Sequence, residues 1–137
     1  MGDGYLMIDQ SNIVLLDAVD LSRAIRERQV SCCEVMAAYL AHINEINPLV
    51  NAIVSLQDSD MLLRQAAERD QELSRGECRG VLHGMPLAVK DLAFTKGIVT
   101  TLGSPIFKDY IPQQDAIFVE RLKAAGGIII GKTNTSE

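Results

Sequence analysis

Along this chain the apolar positions switch between helical and strand spacing, and each switch marks an element. Residues 1–16 show no firm period and read as an irregular arm, and residues 19–28 follow as a short helix. The next helix is better marked. Ser31 and Glu34 form a Ser-x-x-Glu capping box, which satisfies two orphan backbone donors at a helix start. Met36, Leu40, Ile43 and Ile46 then recur at helical spacing as one apolar stripe. Asn47-Pro48 should end this helix, because the residue before proline is pushed out of the helical region. Residues 49–56 read as a strand, and residues 59–74 as a third helix with a polar outer face, stopped by Arg75-Gly76.

After a loop over 77–84 comes a short apolar run, Met85 to Val89, that reads as a buried strand closed by Lys90. Strand alternation puts Met85, Leu87 and Val89 on one face and Pro86, Ala88 and Lys90 on the other, with Ala88 small enough to leave room for the long lysine side chain. Functional groups of open α/β sheets gather where strands end. A strand-end lysine followed by Asp91 and a Gly/Thr/Ser-rich loop is therefore a candidate for chemistry, although a lysine there can equally be a charge reaching water. Past Ser104 the chain is irregular through Pro112. Asp115 is then placed to cap a helix with Phe118, Val119, Leu122 and Ala125 on one face, ended by Gly126-Gly127. Ile128 to Ile130 is a short buried strand, and 131–137 a polar loop. Helices alternating with apolar strands imply an α/β fold. Nothing after the last strand is long enough to cover it, so it is expected to be exposed and the isolated chain to fold poorly or associate.

Composition narrows the function classes. With 137 residues, 47% apolar and 23% charged, the chain is of ordinary globular make-up. A net charge of −5 gives no basic field for nucleic acid or an anionic membrane. Aromatic residues make up only 4%, with no Trp, which argues against a stacking platform for bases or sugars. The apolar runs fall well short of the roughly 20 residues of a membrane helix. The N-terminus has no basic leader, and Leu6 sits where a myristoylation motif requires Ser or Thr. Cys32, Cys33 and Cys78, an odd set without metal-ligand spacing, point to reduced thiols in a cytoplasmic protein and read as packing residues. No metal and no cofactor is implied.

Gly126 to Thr133 satisfies the phosphate-loop pattern Gly-x-x-x-x-Gly-Lys-Thr. Its mechanism needs a strand before the first glycine and a helix starting at the Lys-Thr. Here a helix precedes, the supposed loop is a triple isoleucine suited to a strand, and the motif is rejected. His42 has no ligand partners at metal spacing, His83 reads as a structural hydrogen-bonder, and Glu68-Arg69-Asp70 as a solvated helix face.

Three tracts together resemble the N-terminal part of the amidase signature family. They are 30–52, including Ile46-Asn47-Pro48-Leu49-Val50-Asn51-Ala52; Leu82 to Asp91 continuing through Gly97 to Gly103-Ser104-Pro105; and 115–137, closing on Gly131-Lys132-Thr133-Asn134-Thr135-Ser136-Glu137. The resemblance spans about residues 17–137 and implies the N-terminal portion of the amidase signature fold, a mixed sheet flanked by helices. It makes the whole chain, 1–137, an incomplete domain. It also implies a role for Lys90 as the base of a Ser–cis-Ser–Lys triad. A neutral lysine takes a proton, through the cis-serine, from a second serine that attacks the amide carbonyl, and water hydrolyses the acyl-enzyme; a desolvated lysine can act so. Both serines belong to a Gly- and Ser-rich signature that is not among these residues, and Ser104 and Ser136 match positions outside it. The resemblance thus implies an amidohydrolase part inactive alone, completed by the missing C-terminal part of its own chain and acting there on a small-molecule amide. Homo-oligomerisation is left open. The other reading is a non-catalytic binding module that keeps part of the fold. Gly103-Ser104-Pro105 and Asn134 to Glu137 look more like general amidases than the tRNA-dependent amidotransferase.

Overall fold

The computed structural model describes residues 8–136. Residues 1–7 of the expected irregular arm lie outside them. Within the rest of the arm, Gln10–Ile13 forms a helical turn, α1, capped by the Asp9 side chain, and Ile13 is buried in the core. Helix α2, Ala18–Arg26, starts where the Asp17 carboxylate accepts the Asp20 N–H at 2.8 Å and buries Leu21, Ala24 and Ile25. Helix α3, Cys32–Val50, carries the predicted capping box: Ser31 Oγ accepts from Glu34 N at 3.0 Å, and the Glu34 carboxylate accepts from Ser31 N at 2.8 Å. Its stripe is buried at Met36 and Leu40 and half-buried at Ile43 and Ile46, so the helix runs from the core toward solvent.

Proline does not end α3. The helix continues past Pro48 to Val50 and closes on Asn51 in the left-handed region, whose N–H reaches the Asn47 carbonyl. The Asn47 side chain holds the turn by accepting the Ile53 N–H and donating to the Ile53 carbonyl, both at 2.9 Å. The strand expected over 49–56 is therefore absent as such: Leu49 and Val50 are helical and exposed. Residues 52–57 instead run irregularly beside the last strand.

Helix α4, Ser59–Ser74, is capped by Asp58 and packs against α3. Its Asp70 carboxylate accepts the backbone N–H groups of Cys32 and Cys33 at 2.7 and 3.1 Å, placing a negative charge on the positive end of α3. Burial and Asp70 push both thiols up, that of Cys33 to about 11, which keeps them protonated packing groups. Arg69 is likewise buried and Asp70 half-buried, so of Glu68-Arg69-Asp70 only Glu68 lies on the expected solvated face.

Strand β1, Pro86–Lys90, pairs in parallel with β2, Ile128–Thr133, after a crossover that includes helix α5, Ile117–Ala124. Asp115 does not cap α5. Ala116 occupies the cap position without a side-chain bond, while Asp115 accepts from Lys96 N at 2.7 Å and from Lys123 Nζ. β2 extends through Gly131-Lys132-Thr133, which were expected in a loop.

Nor is β2 uncovered. β1 lies on one edge. On the other, Val54 N donates to the Lys132 carbonyl, Gln57 N to that of Ile130 and Asn134 N to that of Ala52, with an antiparallel bridge between Ile53 and Thr133. A Cβ on Gly131 would stand 2.4 Å from the Ser55 carbonyl oxygen, so glycine is what lets this segment lie so close. Ile128 and Ile130 enter the main core with α2, α3 and α4, whereas Ile129 joins Val89, Ile98 and Val119 on the opposite face. The premise for poor folding or association at this strand is thereby removed. The result is an α/β arrangement with helices packed on a small parallel sheet.

Candidate active site

Lys90 is the last residue of β1 and stands in register with Thr133, so both occupy the carboxyl end of the sheet. Ala88 and Lys90 are exposed, Val89 is buried and Leu87 half-buried, as the alternation predicts over 87–90, whereas Pro86 is half-buried and Met85 packs in the main core, not in the cluster of Leu87 and Val89. Among the described residues no hydrogen bond or ion pair engages the Lys90 ammonium. It borders an open groove of about 400 Å³ whose other walls are Leu92, Ala93, Phe94, Ala116 and Phe118. The groove is apolar apart from the lysine, and Phe94 stacks edge-on against Tyr110 with ring centres 5.8 Å apart.

Asp91 turns away from its neighbour. Its buried carboxylate accepts from Thr101 N at 2.9 Å and from the Thr101 hydroxyl, and its carbonyl accepts from Leu102 N at 3.0 Å. Leu102 has a positive φ of 54°, a conformation a leucine adopts only where its surroundings enforce it. Asp91 thus ties the start of the loop after β1 to its end and anchors the backbone on which Lys90 sits. Replacing Asp91 with Ala leaves two donors of half-buried Thr101 unpaired and is expected to cost about 2–3 kcal/mol. Asp91→Asn, which keeps one acceptor, should cost less. Urea unfolding of the two variants beside the parent checks this ordering, and an alanine variant as stable as the parent would contradict it.

The loop has a second anchor that sequence reasoning missed. Lys132, with 0% exposure, is the largest fully buried side chain. Its Nζ donates to Thr95 Oγ1 at 2.7 Å, to Thr100 Oγ1 at 3.2 Å and to the Ala93 carbonyl. Burial holds its ammonium below lysine's ordinary range, partly offset by the charges of Asp91 and Asp115. A bulge decides which way it points. Leu87 pairs with Ile129 but Ala88 pairs with Gly131, so Ile130 is an extra residue in β2. The slip places Lys132 opposite Val89, on the face of Ile129, where the loop lies; strict alternation would have sent it with Ile130. The Gly-x-x-x-x-Gly-Lys-Thr pattern accordingly spans a helix end and a strand, and its lysine is sealed from any phosphate.

The remaining polar candidates are structural. Nδ1 of buried His83 accepts the Arg79 N–H at 3.1 Å, so Nε2 carries the proton and donates to the Arg69 carbonyl at 2.9 Å. His42 is exposed on α3. Ser104 accepts from Ile106 N as the cap of a short 3-10 helix, Pro105–Phe107. No group of three or more His, Cys, Asp or Glu that could hold a metal occurs among the described residues, and no helix there is long and apolar enough to cross a membrane.

The Amidase family profile matches residues 34–137, and the chain belongs to that family. It is 40% identical over 119 residues to a glutamyl-tRNA(Gln) amidotransferase polypeptide of Alkaliphilus metalliredigens, covering 87% of this chain and 24% of that protein. It is 36% identical over 128 residues to an acylamidase of Rhodococcus erythropolis, covering 93% of this chain and 27% of the other. Among solved structures it is similar to the peptide amidase of Stenotrophomonas maltophilia, with a TM-score of 0.81 and 35% identity over 88% of this chain and 25% of that one. The chain therefore spans about a quarter of the length of these relatives.

Proposed function

We propose that this chain supplies the lysine-bearing part of an amidohydrolase that cleaves carbon–nitrogen amide bonds through a Ser–cis-Ser–Lys triad, with Lys90 as the base. The observation that carries the reading is the contrast between two lysines on neighbouring strands. Lys132 is sealed in and holds a loop, whereas Lys90, in the Val-Lys-Asp tract, is exposed at the carboxyl end of β1 and free to meet groups from outside the chain. In the proposed reaction neutral Lys90 accepts a proton, relayed by the cis-serine, from the nucleophilic serine. That serine attacks the carbonyl, the amine leaves with a proton, and water releases the acid from the acyl-enzyme. The two serines and the backbone donors for the oxyanion come from the Gly/Ser-rich signature, which these 137 residues do not include.

The partner of the Lys90 groove is then the remainder of the fold, and the substrate a small-molecule amide. A general amidase, in preference to a tRNA-dependent amidotransferase, is carried by Gly103-Ser104-Pro105 and Asn134 to Glu137 alone. The expected result for the 137-residue chain by itself is no turnover, since the covalent step has no nucleophile. Incubation with simple aryl and alkyl amides tests it; hydrolysis above background that disappears in Lys90→Ala would overturn the assignment of the serines to another segment.

A further inference from the structure

The chain turns at the residue that carries the candidate base. Ala93 N–H donates to the Lys90 carbonyl at 3.0 Å, closing a turn over 90–93, so the direction in which Lys90 leaves the strand depends on how this turn is held. Three further bonds tie its backbone. Asp91 N–H donates to the Thr133 carbonyl at 3.0 Å, the Asp91 carbonyl accepts from Leu102 N, and the Ala93 carbonyl accepts from Lys132 Nζ. The first two run between backbone groups. The third comes from a side chain with no exposed surface, and Ala93 itself lines the groove that Lys90 borders.

An ammonium is a costly way to hold that carbonyl. Among the described residues no carboxylate pairs with Lys132: Asp91 and Asp115, whose charges act on it, are bonded to Thr101 and to Lys96 N and Lys123. A buried charge without a paired counter-ion costs free energy. What the ammonium supplies, and an apolar side chain of the same length would not, is direction. A lysine has three donors, and here all three are used, on the Thr95 and Thr100 hydroxyls and on the Ala93 carbonyl. The two hydroxyls fix Nζ, and the third bond passes that position on to the turn at Lys90. We propose that Lys132 is a positioning residue for amide cleavage, keeping Lys90 in line through the Ala93 carbonyl. The inference rests on the reading of Lys90 as the base. A reacting group misplaced by about 1 Å can lose about 10²-fold in rate, so a device of this kind has a measurable return.

The test has two arms. In the 137-residue chain, Lys132→Met should speed hydrogen exchange of the Ala93 amide at least tenfold more than Ile25→Val, a core truncation on α2 that weakens the fold away from the turn. Equal acceleration in the two variants overturns the proposal, whatever Lys90 does. In the complete amidohydrolase, Lys132→Met should lower kcat about ten- to hundredfold with KM within about twofold, at a temperature where circular dichroism shows it folded, while Ile25→Val keeps the parental kcat. Thr95→Val, which keeps the shape and removes the 2.7 Å bond orienting Nζ, should show the same split at about three- to tenfold. It carries the test if the methionine variant does not fold. A dead Lys90→Ala beside parental kcat in the Lys132 or Thr95 variant overturns this inference alone. A fully active Lys90→Ala overturns the base assignment and this inference with it.

Discussion

Replacing Lys90 with arginine in the complete amidohydrolase proposed above is expected to reduce turnover by about 10²–10⁴-fold, as much as replacing it with alanine. Arginine keeps the charge and most of the reach, and the groove beside Lys90 is open enough to accept it. It cannot give up its proton, because its pKa exceeds about 12. A base must exist in its neutral form, so the conservative exchange removes the function while preserving the electrostatics. If Lys90 served instead as a cation that holds or polarises the amide, arginine would retain most of the activity and only alanine would lose it. Turnover of the parent, Lys90→Ala and Lys90→Arg, with circular dichroism to show that all three fold, separates the two roles. An arginine variant within a few-fold of the parent excludes the base.

The second large effect falls on stability and on the other lysine. Lys132→Ala removes the buried stem, leaves a cavity and strands the Ala93 carbonyl, and is expected to cost about 3–5 kcal/mol. Lys132→Met refills most of the volume but still leaves that carbonyl without its donor, at a cost of about 1–3 kcal/mol. Urea midpoints at unchanged m-value would show the ordering, and an alanine variant within about 1 kcal/mol of the parent would refute it. The pH dependence has a definite sign. Burial holds the folded-state value of Lys132 below that of the unfolded chain, so between the two the unfolded state binds more protons. Stability from this group therefore rises with pH from the lowered value up to lysine's ordinary value near 10.4, and both variants should lose that rise.

These two lysines also mark how far the sequence could be read. Signals confined to one element were legible: the Ser31/Glu34 box opens α3, Arg75-Gly76 closes α4, and alternation along 87–90 exposes Lys90. Signals that depend on a distant partner were not. Asp115 has the chemistry of a cap, but Lys123 and the Lys96 backbone compete for it and win. Pro48 has the chemistry of a stop, yet it sits in the last turn of α3, where the Asn47 side chain closes the helix a few residues further on. Lys132 was hidden by the bulge at Ile130, because a single extra residue reverses which side chains face inward and leaves no mark in composition. Arg69 and Asp70 looked like surface charge because, Glu72 apart, their partners lie far along the chain: Asp70 accepts from the backbone at the start of α3, and the Arg69 carbonyl accepts from His83 Nε2 in the loop before β1.

The segment beside β2 bears on the order in which the chain acquires structure. Ile53 bridges to Thr133, and Val54 and Gln57 bond to Lys132 and Ile130, so residues from the first half of the chain complete their backbone pairing only with its last strand. The α3–α4 hairpin, by contrast, closes on contacts near in sequence. Local contacts form early, and distant pairing waits until the entropy of a long loop has been overcome. During synthesis, residues 52–57 emerge well before their partners, and with them the Ala52, Ser55 and Gln57 backbone. A kinetic phase in refolding that depends on Gly131, and that slows when a side chain is placed there, is the signature of this late closure.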